Sequence, residues 1–431
     1  MSLSARKAAV DALEKLRRGA GMSEHVFDSV IAGNEISDAD TALASRIYYG
    51  VIQNMLYIDA VLTHFSSVSI KKVQPKVMDI LRCAVFQILF LDRVPDSAAV
   101  NEAVNQCKKS FPKAGGYVNA VLRKISKEKD DLPEFGNTPT EKLSIKYSHP
   151  VWFTEYVINL LGLDGAEKLL SADNTTPPVF LQKNTLSEKS LDLPAHEYLE
   201  NCYTVQSFSE IANKAEFKSG AYYVQDPAAK MSVIASDVKP GDTVIDVCAA
   251  PGGKSITAAM LMQNIGTIKS FDINDKKITK ISDNAARLGI DIISAEAHDG
   301  KDNITELNDT ADVVLCDVPC SGFGVIRKKP EIRYKSFEEV KNLPQTQLAI
   351  LENASRYVKR GGVILYSTCT ILTEENEDVV NSFIEKNREF TAEDFTIPAG
   401  KSENGMMRLY PHIHNTDGFF ICKLRRSGTQ V

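Results

Sequence analysis

Long apolar runs are missing from this 431-residue sequence. None approaches the ~18–20 residues needed to span a bilayer, which argues against a helical membrane protein. A secretory leader is missing as well: the opening MSLSARKAAVDALEKL breaks its apolar residues with charges every few positions, unlike a signal peptide, so the expected location is the cytoplasm. Cysteine is scarce. The eight are Cys83, Cys107, Cys202, Cys248, Cys316, Cys320, Cys369 and Cys422, with no C-x-x-C pair and no His/Cys cluster at zinc spacing. That excludes a disulfide scaffold and predicts no metal. The cysteines are expected as reduced thiols, and the question becomes which of them react. Internal repeats and low-complexity tracts are absent too.

Hydrophobic content of 43% and charged content of 25% are those of a soluble globular protein, and the length suggests two or three domains. A net charge of −6 makes no global case for nucleic acid, but from Lys71 to Lys129 twelve Lys/Arg stand against five Asp/Glu. A basic block on an acidic chain marks a local footprint for polyanions. A solvated helix face accounts for it equally well.

Residues 1–130 read as helix after helix. Val10, Leu13 and Leu16 form one apolar stripe. Asp38 is the expected N-cap of a long helix carrying Leu43, Ile47, Val51, Leu56 and Val61. QPKVMDILRCAVFQILFL, SAAVNEAVNQCKKS and GGYVNAVLRKISK follow, predicting an all-α bundle. The charged, Pro/Gly-punctuated stretch from Lys127 to Glu141 suits a linker. Residues 131–220 are expected to form a small α+β module, with strands in NTTPPVFLQKNTL and YTVQSF. From there to residue 431, short apolar runs (TVIDV, TIKSF, DVVLCD, GVILYS) alternate with helical stretches, the pattern of a doubly wound α/β domain. DGFFICKLRR reads as one further strand.

Within this domain DVCAAPGGKS, Asp246 to Ser255, lies between a strand and a helix. Gly252 and Gly253 allow a sharp turn and close backbone approach, and the helix start favours an anionic group. Asp272, at the end of the next strand, can accept the hydroxyls of a ribose. Asp299 and Asp317 stand at two further strand ends. Singly each is more often a turn residue or cap; together, with no G-x-G-x-x-G, they point to S-adenosylmethionine rather than a dinucleotide.

Cys320 (DVPCSGFGV) and Cys369 (YSTCT) each lie just past a strand, where open α/β sheets gather ligands. Cys248, Cys316 and Cys422 read as small packing residues. Two thiols at one mouth suit methylation of cytosine carbon 5, a poor nucleophile until sulfur adds to carbon 6. An acid near the ring nitrogen, with Asp317 the candidate, would stabilise the developing charge. The loop Val325–Lys335 adds five basic residues against one acid. Arg327, Lys328, Lys329 and Arg333 are therefore candidate phosphate contacts. Tyr334 is placed to stack on a base, or to have no such role.

DVCAAPGGKS, DVPCSGFGV, YSTCT and GFFICKL resemble the RNA cytosine-5 methyltransferases of the NOL1/NOP2/Sun family. ILRCAVFQILFLDRVPDSAAVNEAVNQCKK and GYVNAVLRKI resemble a NusB-type RNA-binding domain. The resemblance implies a multidomain chain: a NusB-like bundle (1–130), a linker and small α+β module that contacts RNA (131–220) and a Rossmann-like class I methyltransferase domain (221–431). It implies Cys369 as nucleophile and Cys320 as the residue assisting release. Its cofactor contacts fall on Cys248, Ala249, Ala250, Pro251, Gly252, Gly253, Lys254, Asp272, Asp299 and Asp317. Val318, Phe323 and Gln182–Asn184 depart from the family's usual alanine, threonine and Arg-Val-Asn. The bundle on this catalytic domain implies 16S rRNA as substrate, unassembled or in an early small-subunit particle, and a monomer. A tRNA cytosine-5 methyltransferase shares the catalytic motifs, and an RNA-binding protein with an inactive methyltransferase domain is the reading from another class.

Overall fold

The apolar stripes of the first part of the chain close into helices. In the computed structural model, which describes residues 3–189 and 192–428, Met1 and Ser2 of the opening stretch lie outside the described residues. The described elements fall into two units, residues 1–175 with 326–334, and residues 176–325 with 335–431.

The first unit carries α1 (Ala5–Arg17), α2 (Ser23–Ala32), α3 (Asp38–Gln53), α4 (Met55–Phe65), α5 (Pro75–Phe90), α6 (Asp96–Ser110), α7 (Gly115–Glu128), α8 (Pro139–Lys146) and α9 (Val151–Ala172). α5 is the core element. Eleven of its residues are buried, from Val77 to Ile88, and it packs on α1, α3, α4, α6 and α7, which is why its apolar face reads so broad. α3 begins one residue away from the expected cap: Ser37, not Asp38, takes the N-cap position and accepts the Asp40 N–H through its hydroxyl. Asp38 instead lies in the first turn, where its charge favours the positive helix end.

The segment 326–334 is a correction to the sequence reading. Arg333, expected among the phosphate-binding cations, is 0% exposed. Its guanidinium donates to Gln53 O (2.7 Å), Asn174 Oδ1 (2.8 Å) and Tyr147 O (3.2 Å), using a planar donor fork to satisfy acceptors where α3 and α8 end. Tyr334, considered above for base stacking, is half-buried against the helices and donates its hydroxyl to Ile52 O at 2.7 Å. Glu331 accepts the Ser23 N–H. Arg327 is also buried, whereas Lys328 and Lys329 are exposed. A run of charge carries no mark of which cation points inward; the carbonyls waiting at the helix ends decide it.

The second unit begins with an antiparallel sheet of β1 (Val179–Lys183), β2 (Cys202–Val205) and β3 (Tyr222–Val224), in the order β2-β1-β3. Gln182, at the departure noted above, is fully buried there and donates to Gln225 O. The large sheet contains β4 (Thr243–Asp246), β5 (Thr267–Asp272), β6 (Ile293–Ala297), β7 (Ala311–Asp317) and β8 (Val358–Thr368), all parallel in the order β8-β7-β4-β5-β6. β9 (Phe390–Ala392), the short hairpin β10 (Thr396–Ile397) and β11 (Gly400–Lys401), β12 (Met406–Leu409) and β13 (Phe419–Arg426) follow. β13 runs antiparallel to β8 and carries β12 and β9 on its other contacts. The sheet is therefore mixed, not wholly parallel. The α/β class stands, and β7 and β8 read as continuous apolar runs because helices cover both faces of the sheet.

Replacing Arg333 by alanine leaves several buried carbonyl acceptors unpaired. The expected loss is roughly 3 kcal/mol in urea unfolding. Lys329→Ala, on the exposed part of the same loop, should stay within about 0.5 kcal/mol of the parent. Equal, small effects from both would contradict the structural role of Arg333.

Candidate active site

Four carboxylates stand at the carboxyl ends of four neighbouring strands. Asp317, Asp246 and Asp272 close β7, β4 and β5, and Asp299 follows β6 by two residues. Their convergence is felt at Cys248: burial first, and then the charges of Asp246, Asp317, Asp272 and Asp299, push its thiol well above the ordinary range. A thiol so placed stays protonated and is no nucleophile.

The turn after β4 is built by Gly252. Its φ of +104° puts it in the left-handed region that favours glycine, and it is the N-cap of the helix Gly253–Leu261. The first turn of that helix offers backbone N–H groups without partners inside the helix. Asp272 pins the turn from the side: its Oδ2 accepts the Ala250 N–H (3.2 Å) and its Oδ1 the Asn274 N–H (3.0 Å). Each oxygen keeps a lone pair for a further donor. Asp299 accepts the Lys301 N–H in an analogous turn.

Lys254 reaches across the mouth to Asp317, Nζ to Oδ2 at 2.6 Å, and lies over the Phe419 ring. The second oxygen of Asp317 accepts the Ser367 hydroxyl at 2.7 Å. The carboxylate is thus fixed between β7 and β8. Asp246, one strand over, is fully buried and accepts the Ser255 hydroxyl at 2.7 Å. Burial pushes its carboxyl up to about 7, with the Ser255 hydroxyl opposing and the Asp317 charge adding to the rise.

Both candidate cysteines meet here. The Cys320 and Cys369 sulfurs are 3.1 Å apart, as free thiols, each half-buried. The Gly324 N–H donates to Cys369 O (2.9 Å) and the Gly418 N–H to Gly324 O (2.8 Å). A Cβ at Gly324 would lie 1.9 Å from Gly418 O, so the two loops close up only with glycine at that point. Contact with Cys369, followed by burial, drives the Cys320 thiol far above its usual range. Cys316 and Cys422 are buried inside the sheet, with burial raising both thiols.

Residues 3–127 match the NusB family and residues 233–425 match the family of 16S rRNA methyltransferases RsmB/F. The probable ribosomal RNA small subunit methyltransferase B of Bacillus subtilis is 34% identical over 448 residues, spanning 99% of each chain. The chain belongs to the RsmB/F methyltransferase family. Among solved structures, one titled PH0851 aligns over 99% of this chain and 100% of its own, with 28% identity and a TM-score of 0.80. A methyltransferase homologue from Pyrococcus horikoshii aligns over 68% of this chain and 100% of its own, with 26% identity and a TM-score of 0.59. Among the described residues no group of three or more His, Cys, Asp or Glu could hold a metal ion, and no helix is long and apolar enough to cross a membrane.

Sequence reasoning missed several residues that shape this family's mouth here. Ser367, Gln347 and Glu375 contact Asp317 or the segment around Cys320. Gln347 sits inside an ordinary amphipathic helix, Leu343–Tyr357, and no spacing distinguishes it from a packing glutamine. Glu375 was legible only as one acid in ILTEENED.

The Asp246 carboxyl gives a pH signature. Between about pH 4 and about 7 the folded chain holds a proton on Asp246 that the unfolded chain has released, since its pKa rises from 3.8 to about 7. Its contribution to stability is therefore full below pH 4 and is lost as pH rises through that window. Asp246→Asn should flatten the fall in unfolding free energy between pH 4 and 7; an unchanged slope would refute the assignment.

Proposed function

We propose that this chain transfers a methyl group from S-adenosylmethionine to carbon 5 of a cytosine in 16S rRNA, through a covalent bond between Cys369 and the base. The observation that carries it is the pair of free thiols 3.1 Å apart beside the Asp317 carboxylate.

The residues present fit the methyl donor. The glycine turn leaves helix-start N–H groups for its carboxylate, and Asp272 has lone pairs free for ribose hydroxyls. Cys248 through Lys254, Asp272, Asp299 and Asp317 would line it. When bound, S-adenosylmethionine supplies an electrophilic methyl.

Cys369 forms the S–C6 bond to cytosine, which makes carbon 5 able to take that methyl. Asp317, held by Lys254 and Ser367, faces the polar edge of the ring and stabilises the charge that develops there. A base then takes the carbon 5 proton, the electrons of that C–H bond restore the C5–C6 double bond, and the S–C6 pair leaves with the Cys369 sulfur as the methylated base departs. Cys320 assists that release. The assignment of roles rests on the segments that hold the two cysteines, YSTCT for Cys369 and DVPCSGFGV for Cys320; with the sulfurs 3.1 Å apart, Cys320 can hand a proton to the Cys369 sulfur as that sulfur leaves carbon 6. The target base has to leave its stack to reach both sulfurs. Lys328 and Lys329, the exposed cations of the basic loop, and the exposed lysines and arginines of residues 71–129 are the places for phosphates.

rRNA is favoured over tRNA because the relative spanning the whole chain is named for ribosomal RNA of the small subunit. An inactive domain is disfavoured by the presence together of the four strand-end acids, the glycine turn and the two touching thiols. An rRNA substrate suits an enzyme of the cytoplasm, and we infer that it acts as a monomer.

Cys369→Ala should abolish methyl transfer from labelled cofactor to 16S rRNA. Cys320→Ala should instead accumulate a protein–RNA adduct that survives a denaturing gel. Transfer by Cys369→Ala at the parent rate would remove the nucleophile, and absence of adduct in Cys320→Ala would remove the release role.

A further inference from the structure

Glu375 lies in the loop that follows Cys369, is 1% exposed, and its Oε1 has no hydrogen-bond partner among the described residues. Keeping a carboxylate away from water costs several kcal/mol unless it is well paired, so packing alone does not account for it. Its other oxygen is fully engaged. Oε2 accepts the Ser321 N–H at 2.9 Å and the Gln347 Nε2 at 2.8 Å, and the same Gln347 nitrogen donates to Pro319 O at 3.0 Å. The residues on both sides of Cys320 are therefore tied to one carboxylate. The backbone of Glu375 is tied in turn, its carbonyl accepting the Tyr366 hydroxyl from β8 at 2.7 Å. Ser321 and Thr370, each next to a cysteine, share a hydrogen bond at 2.8 Å.

We propose that Glu375 is the positioning residue for Cys320: it clamps Pro319–Cys320–Ser321 against the loop of Cys369, so that the two sulfurs are presented together. Without it, the links between the two loops among the described residues are Ser321–Thr370, Gly324–Cys369 and the contact of the two sulfurs themselves. Its charge has a second consequence. Glu375 adds to the effects, led by Cys369 and burial, that keep Cys320 as a thiol. The consequence for product release rests on the covalent mechanism proposed above; the clamp itself does not.

The test compares full-length protein, Glu375→Ala and Glu375→Gln, checked by thermal melting. Peptide mass spectrometry follows the rate of iodoacetamide alkylation at Cys320 against pH, without RNA or cofactor. Turnover on 16S rRNA and adduct on a denaturing gel are read separately. Glu375→Ala should lose roughly a hundredfold in turnover, the scale of a misplaced reacting group, accumulate adduct, and alkylate Cys320 at lower pH than the parent. Glu375→Gln keeps an oxygen that can accept both N–H groups, so it should recover most of the turnover while still shifting the alkylation profile downward. Parent-like turnover in Glu375→Ala, Glu375→Gln no faster than Glu375→Ala, or a parent-like Cys320 profile in both variants would each overturn the clamp. Should Glu375→Ala not fold, the Cys320 profile of Glu375→Gln decides alone. If Cys320→Ala traps no adduct but the Glu375 variants shift the profile, the release role falls and the clamp stands.

Discussion

The register of β7 against β8 governs the rest of the site. Asp317 pairs with Ser367 in that parallel ladder, so the two chains leave the sheet side by side, one toward Cys320 and the other toward Cys369. A slip of one residue would turn every side chain of a strand to the opposite face, parting the Ser367 hydroxyl from the Asp317 carboxylate and the two sulfurs from each other. The constraint extends to a third strand. Gly324 returns beneath Cys369 and meets Gly418, just before β13, at a distance that excludes any side chain. Three strand ends are thereby locked at one point.

That convergence has an electrostatic cost. Four acids crowd around Cys248, one of them without access to water, and two lysines reach in to oppose them, Lys254 to Asp317 and Lys301 to Asp299. Asp246 accommodates by taking up a proton near neutrality. The methyl donor proposed above carries a positive sulfonium, which such an excess of negative potential would favour. The arrangement lowers stability and raises complementarity to the ligand, as sites commonly do.

The basic loop separates two uses of positive charge. Arg333 is an internal connector whose planar fork collects carbonyls from the ends of α3 and α8, a task for which a lysine lacks the geometry. Lys328 and Lys329 keep their charge at the surface. Counting the loop as one cationic patch overstates what it offers to RNA.

The sequence by itself determined the class of both units, because helical stripes and buried parallel strands each impose a periodicity that burial enforces. It also marked the glycine turn, the four acids and the two cysteines whose sulfurs meet, since each lies at a strand end where particular residue types stand out. Only the tertiary structure decided what depends on partners distant in the chain: the antiparallel β13 that makes the sheet mixed, Ser37 rather than Asp38 as a cap, Arg333 turned inward, and Glu375 bound to Ser321 across 54 residues. Hydrogen bonds between remote segments leave no periodic trace, because each needs only one donor and one acceptor brought into line by the fold.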